Sequence, residues 1–183
     1  MFDQSLEYKL AQVRKNKYNI RETFTKEHIY KFYCHNDKCC IKYVVSIKEY
    51  KNELLTLDYY PKINLTPKAN SLDDIQDLRY RMLTKQNSFG IIGGTILDIM
   101  QEIENTTGLR IWGFLAASLI AETINANNKR YIVYKEVLSR TFRTRHRVFG
   151  NRDNSAIFVI PIVKLAEIQR IIEDYEYIFS ETN

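Results

Sequence analysis

The sequence predicts an α+β domain in which an antiparallel meander is followed by helix, strand, helix and strand. Three observations lead to this prediction. Apolar and polar residues alternate in three consecutive stretches between residues 29 and 60. The segments 95–106 and 128–140 instead repeat their apolar residues at helical spacing. The stretches 109–116 and 156–162 are short and continuously apolar, which is typical of buried strands.

The two ends of the chain are also periodic. Phe2, Leu6, Leu10 and Val13 recur at helical spacing, so residues 1–20 are predicted to form an N-terminal helical arm. The apolar residues of the C-terminal segment also recur at helical spacing, over a longer stretch, which predicts a C-terminal helix. The chain is therefore divided into the arm 1–20, a central domain 21–163 and a C-terminal helix 164–183.

The meander is predicted from strands 29–34, 40–48 and 54–60. Turn-forming residues separate the first two strands, and Pro61 follows the third. Within the second strand, alternate residues place an apolar set on one face, as expected when one face of an antiparallel sheet is buried. That set consists of Ile41, Tyr43, Val45 and Ile47.

The segment from Phe89 to Leu97 is rich in glycine and precedes an amphipathic stretch that ends at Gly108. We predict a glycine loop that opens a helix at Thr95, with Gly108 as the C-terminal cap. Such a loop presents backbone N–H groups to a phosphate at a helix N-terminus. The alternative is a tight turn, in which Gly93 and Gly94 provide conformational freedom and close packing without any ligand.

Basic residues are concentrated in one part of the chain. The formal net charge is +5, yet residues 129–152 hold eight Lys or Arg and a single acid, Glu136. Nucleic acid, a phosphate-bearing cofactor and an acidic protein surface are all possible partners, and a merely solvated face is the fourth alternative. From Arg140 to Arg147 the bases alternate with other residues, so an extended segment here would carry several of them on one face as a phosphate-contacting strip. Phe142, His146 and Phe149 are interleaved with these bases and could stack on nucleotides. The predicted contact residues are Lys129, Arg130, Arg140, Arg143, Arg145, Arg147 and Arg152.

Cys34, His35, Cys39 and Cys40 are close together on the predicted first hairpin. They lack a Cys-x-x-Cys spacing, and no second ligand pair follows, so no metal site is predicted. The odd number of cysteines and the absence of an apolar leader indicate a reducing compartment and no signal peptide. The longest apolar run is too short to span a bilayer, so no membrane association is predicted.

Taken in order, the strands, the glycine loop and the Asn-initiated helix resemble the GNAT family of N-acetyltransferases over residues 28–162. The matching elements are Ile92-Gly93-Gly94-Thr95 and Asn127-x-x-Arg130-x-x-x-Tyr134. The resemblance implies a mixed sheet with flanking helices. It also implies that an enzyme of this type would bind acetyl-CoA through Gly93, Gly94 and Thr95, with Tyr134 as the general acid.

The segments 89–93 and 129–135 are similar to those of GNAT-like proteins encoded by tailed phages and mobile elements of Bacteroidetes. Some of these proteins lie among virion genes. This likeness implies a non-catalytic scaffold without a cofactor, used as a ring, connector or tail component in a virion or in the host cytoplasm. Its partners would be other protein subunits, including copies of itself. An acyl-CoA-dependent N-acyltransferase and a nucleic-acid-binding protein are the alternatives.

Overall fold

A computed structural model of the chain describes residues 2–16, 24–35, 40–50, 53–62, 89–116, 129–153 and 155–173. Its strands are β1 (Tyr8–Lys15), β2 (Phe24–His35), β3 (Cys40–Tyr50), β4 (Leu54–Lys62), β5 (Ile111–Leu115), β6 (His146–Asn151) and β7 (Ala156–Pro161). Its helices are α1 (Phe89–Thr107), α2 (Lys129–Phe142) and a 3-10 helix (Ile162–Glu167).

The strands form one seven-stranded mixed sheet in the order β1-β2-β3-β4-β5-β7-β6. The predicted α+β class is therefore confirmed. So is the start of the meander, because β2 and β3 pair in antiparallel fashion and β4 follows β3 in the sheet. At the centre, β4 and β5 pair in parallel over three residue pairs, from Leu54↔Ile111 to Thr56↔Gly113.

The chain divides into two compact units, of which the first is Met1–Lys51 with Leu57–Gly108. Its core contains the cross-strand pair Phe32↔Tyr43, whose rings are stacked with centroids 5.1 Å apart. Both side chains are fully buried, as are Val45 and Ile47 on the same face of β3. The alternating apolar residues that predicted β3 therefore lie on a face that is buried in the structure.

The second unit is Asn52–Thr56 with Leu109–Asn183. Every residue of β7 is buried, because β7 lies between β5 and β6 and also packs against α2. Trp112 on β5 is opposite Val159, and Phe149 on β6 is opposite Phe158. The continuous apolar run of β7 is thus explained by burial on both of its faces.

Helix α1 begins at Phe89, six residues before the predicted start. Its predicted apolar stripe is confirmed, since Ile96, Ile99, Met100 and Ile103 are all buried. Gly108 ends the helix as predicted: its φ angle is 83°, and its N–H donates to the carbonyl of Glu104 at 2.9 Å. A positive φ of this kind favours glycine at a helix C-terminus.

The predicted helical arm is wrong, because residues 8–15 form strand β1 on the edge of the sheet. The register of β1 against β2 shifts between Leu10 and Gln12. This bulge moves Val13 onto the same face as Tyr8 and Leu10. Leu10 and Val13 therefore share a face at a spacing of three residues, as in a helix, and Phe2 and Leu6, which precede β1, completed the apparent helical pattern.

Strand β6 is additional to the predicted strands, because its start lies within the arginine-rich run that predicts a basic strip. The predicted C-terminal helix begins as the 3-10 helix and continues to residue 173, while 174–183 lie outside the described residues. The polar segment that begins at Asn70 also predicts a short helix to about Leu83, and that helix likewise lies outside the described residues. Within the described part of the chain, no helix has an apolar stretch long enough to cross a membrane.

Candidate interaction surfaces

Residues 2–7 pack along α1 and are called here the N-terminal strap. The aromatic ring of Phe2 lies over Gly93, and the carbonyl oxygen of Gln4 lies against Gly94. A Cβ atom built on either glycine would overlap the group above it. The two glycines therefore allow another part of the chain to approach the helix more closely than any side chain would permit.

A buried hydroxyl group, that of Thr95, binds the strap at Leu6. The N–H of Leu6 donates to Oγ1 of Thr95 at 2.9 Å, and the same hydroxyl donates to the carbonyl of Ile91 at 2.7 Å. Thr95 is completely buried. Its hydroxyl therefore satisfies a strap donor and at the same time remains bonded within the helix.

The predicted glycine loop at the start of the helix is wrong, since Gly93 and Gly94 are the fifth and sixth residues of α1. Only the first four N–H groups of an α-helix lack a partner within the helix. From Gly93 onward, the N–H groups are directed into the helix instead of toward a ligand. The predicted binding role of Gly93, Gly94 and Thr95 thus loses the donor arrangement on which it depended.

Beyond the strap, Tyr8 of β1 continues the contact with α1. Its hydroxyl donates a hydrogen bond to Glu102, and its ring meets Tyr30 edge-on with centroids 6.1 Å apart. Burial raises the pKa of Tyr8 well above its usual value, and the carboxylates of Glu102 and Asp98 raise it further. The pKa of Tyr30 is raised in the same direction by burial and by Glu102.

The strap and α1 carry charge of one sign. Residues 2–7 and 89–107 together contain five acids and no Lys or Arg. Glu104 is buried, whereas the other four acids are at least partly exposed. We define these four as the acidic surface: Asp3, Glu7, Asp98 and Glu102.

The opposite charge is found in the second unit, on α2 and the turn that follows it. Residues 129–147 contain seven Lys or Arg and one acid, Glu136. Arg140 pairs with that acid at 2.6 Å across one helical turn. Arg143 and Arg145 are exposed in the turn between α2 and β6. The predicted extended basic strip is therefore wrong: it consists of a helix end, a turn and a strand start.

Arg147 supports the turn through its own side chain. Its Nη1 atom donates to the carbonyl of Arg143 at 2.8 Å and to the carbonyl of His146 at 3.0 Å. A cation is favourable near the carbonyl groups at the end of a helix. Arg147 therefore stabilises the local backbone and contributes its charge to the surface.

Apolar groups border these arginines. The N–H of Ile162 donates to the carbonyl of Arg145 at 2.9 Å, which brings the start of the 3-10 helix beside the turn. Ile162 is exposed, and Val163 is 80% exposed. We define the basic surface as Arg143, Arg145, Arg147, Ile162 and Val163.

The predicted stacking residues are not available for stacking. Phe142 and His146 are both buried and pack edge-to-face with ring centroids 5.3 Å apart. Phe149 is half-buried and is paired with Phe158 on the sheet. The aromatic and basic residues therefore alternate in sequence because the buried rings face the core and the exposed arginines face the solvent.

The other predicted residues lie in several parts of the second unit. Arg130 and Tyr134 are half-buried on α2, and Arg152 is exposed in the turn between β6 and β7. The side chain of Lys129 lies outside what the structure describes. Tyr131, one turn before Tyr134, is buried, and its hydroxyl lies against Gly150. The role of Tyr134 as a general acid stays a prediction.

Sequence reasoning found the arginines but missed the acidic surface and the apolar border. The acids were present in the sequence as two segments without a single base, 2–7 and 89–107. The packing of the strap on α1 brings these two segments together, and the sequence alone does not reveal that contact. The sequence places Ile162 and Val163 at the end of the final predicted strand, and hydropathy alone does not show that these two apolar side chains are exposed.

Comparison of the chain with protein-family models, with characterised proteins and with solved structures gives no match.

Proposed function

We propose that this protein is a non-catalytic assembly protein whose copies associate head to tail. In this arrangement the acidic surface of one copy binds the basic surface of the next. Association through two different surfaces is heterologous, and such interfaces generate closed rings or open filaments. Additional protein subunits of the same assembly would be recognised through the same two surfaces.

The main support for this proposal is that acidic and basic residues are concentrated in different parts of the chain. The strap and α1 contain five acids and no base, whereas residues 129–147 contain seven bases and one acid. Complementary patches of this kind steer association and fix its orientation. Exposed Val163 adds apolar area beside the arginines of the basic surface, and apolar contact accompanies charge in most protein interfaces.

The type of assembly follows from the resemblance to phage-encoded proteins. We propose a ring, connector or tail component of a virion, built on a degenerate GNAT-like scaffold. The parallel pairing of β4 with β5, in a sheet where β1–β2, β2–β3, β5–β7 and β6–β7 pair in antiparallel fashion, supports such a scaffold. Mass spectrometry of purified particles from the source that encodes the chain tests this part of the proposal directly.

The packing of Gln4 on Gly94 favours the non-catalytic function over an N-acyltransferase. An enzyme of that type must bind acetyl-CoA, and a bound ligand raises thermal stability by mass action. We therefore expect no change in the melting temperature at saturating acetyl-CoA. A concentration-dependent increase, together with acetyl transfer that is lost in a Tyr134→Phe variant, would instead support the enzyme.

The decisive experiment reverses charge on each surface separately. Arg143→Glu with Arg145→Glu leaves a copy with two acidic surfaces, and Asp3→Lys with Glu7→Lys leaves a copy with two basic surfaces. We expect the wild type to form oligomers at low salt, each variant alone to be monomeric, and the equimolar mixture to associate again. Light scattering after size-exclusion chromatography measures all four samples.

The matched control is Lys9→Glu with Lys15→Glu, which changes the net charge by the same amount on exposed positions of β1. This variant should associate like the wild type. A monomeric wild type, or a mixture that does not associate, would overturn the proposal. Salt-dependent retention of DNA that disappears in the arginine variant would favour nucleic-acid binding instead.

A further inference from the structure

A thiol and an imidazole face each other where β2 ends and β3 begins. His35 and Cys40 are direct cross-strand partners in the antiparallel register. Cys40 Sγ and His35 Nε2 are 3.6 Å apart, and both residues are exposed. This pair is used neither in the core of the first unit nor in the acidic or basic surface.

The separation of these two atoms fits a shared metal ion. Zinc bonds to sulfur at about 2.3 Å and to imidazole nitrogen at about 2.0–2.1 Å, and tetrahedral geometry then separates the two ligand atoms by about 3.5–3.6 Å. Thiolate and neutral imidazole are also the ligand types that zinc prefers in structural sites. The pair thus already has the spacing of two corners of a tetrahedron.

Two ligands are half of a structural zinc site. No group of three or more potential metal ligands occurs among the described residues. A second copy of the chain related by a twofold axis would supply an identical pair, and the two pairs together form a Cys2His2 set. Both residues of the pair are exposed, as a site shared with a second copy requires.

We propose that His35 and Cys40 form half of a zinc site, which two copies of this chain complete as a metal-linked dimer. Zinc binding would displace the thiol proton of Cys40, so the dimer is expected to weaken as the pH falls. The head-to-tail association proposed above uses other surfaces, so either proposal can fail without the other.

The test uses the full chain with the exposed arginines reversed (Arg143→Glu with Arg145→Glu), so that only metal-linked association remains. With reductant present, we expect one zinc ion per two chains, a dimer in light scattering, and its loss on adding a chelator. Cobalt(II) should give the absorption bands of a tetrahedral site with thiolate ligands.

Cys40→Ser and His35→Ala should each abolish the zinc-dependent dimer while leaving the melting temperature of the metal-free protein unchanged. Cys39→Ser removes the neighbouring thiol, which lies outside the described residues, and should leave the dimer intact. Zinc bound at one ion per chain without dimerisation, or a dimer that reductant dissolves and a chelator does not, would overturn the proposal.

Discussion

The carbonyl oxygen of Gln4 lies directly on Gly94, at a distance where no side chain could be inserted between strap and helix. Glycine costs about 1 kcal/mol relative to alanine inside a helix. Two adjacent glycines in α1 therefore carry a helix penalty that the strap contact must offset. The contact therefore indicates that the glycine pair allows the strap to pack closely on α1 within one chain.

The strap contact predicts different effects for two neighbouring substitutions. Gly94→Ala should lower the free energy of unfolding by about 1–2 kcal/mol, because the backbone of Gln4 must move and overpacking costs about 1–3 kcal/mol. Gly93→Ala meets only the Phe2 ring, which can rotate away. It should be neutral, or more stable by up to about 1 kcal/mol.

Urea denaturation measures both variants, and deletion of residues 2–5 provides the control. Without Phe2 and Gln4, each alanine should stabilise the protein by its helix propensity alone. If Gly94→Ala destabilises the shortened chain as much as the full chain, the contact with Gln4 is not the cause.

The Thr95 hydroxyl predicts a second test of the same contact. Thr95→Val keeps the shape of the side chain but removes the acceptor for the Leu6 N–H. We expect a loss of about 1–2 kcal/mol and faster hydrogen exchange of the strap, since an unpaired donor costs about 1–3 kcal/mol. Thr95→Ser retains the hydroxyl and should preserve the protection of Leu6. Equal protection in both variants would contradict this explanation.

Much of the sheet could be predicted because burial of one face leaves an alternating pattern. Tyr43, Val45 and Ile47 are fully buried, as their spacing indicated. Strand β1 could not be predicted in the same way. A bulge between Leu10 and Gln12 breaks the alternation, and a bulge depends on pairing with a partner strand that local sequence does not reveal.

The candidate site was predictable only in its charges. The arginines after Phe142 are visible as a run, but the chain reverses direction among them because Arg145 bonds back to Phe142 and forward to Ile162. The glycine pair had two possible explanations, and local sequence favours a loop since glycine is a poor helix former. The strap, ninety residues away along the chain, decides between them.

The contact between Gly150 and Tyr131 predicts a test in the second unit. A Cβ atom on Gly150 would overlap the Tyr131 hydroxyl, and its next neighbours would be ring carbons Cζ at 2.8 Å and Cε2 at 3.0 Å. Gly150→Ala should therefore lower the free energy of unfolding by about 1–3 kcal/mol. Adding Tyr131→Phe should recover part of that loss but not all, because the ring carbons remain. A double-mutant cycle without coupling would contradict this arrangement.

The interaction of Tyr8 with Glu102 predicts how stability changes at high pH. Burial raises the pKa of Tyr8 above its ordinary value of 10.0, and the hydrogen bond and negative charge of Glu102 raise it further. The folded protein therefore holds this proton more tightly than the unfolded chain does. The resulting stabilisation is complete below about pH 10 and is lost as the pH rises toward the folded-state pKa.

Tyr8→Phe removes this contribution, so the stability difference between wild type and variant should be largest at neutral pH and should shrink above about pH 10. Urea denaturation between neutral and strongly alkaline pH measures that difference. Glu102→Gln is the second variant: it removes the carboxylate charge and should shift the absorbance titration of tyrosine to lower pH. A wild-type advantage over Tyr8→Phe that stays constant across the alkaline range would mean that the Tyr8 proton is not held by this cluster.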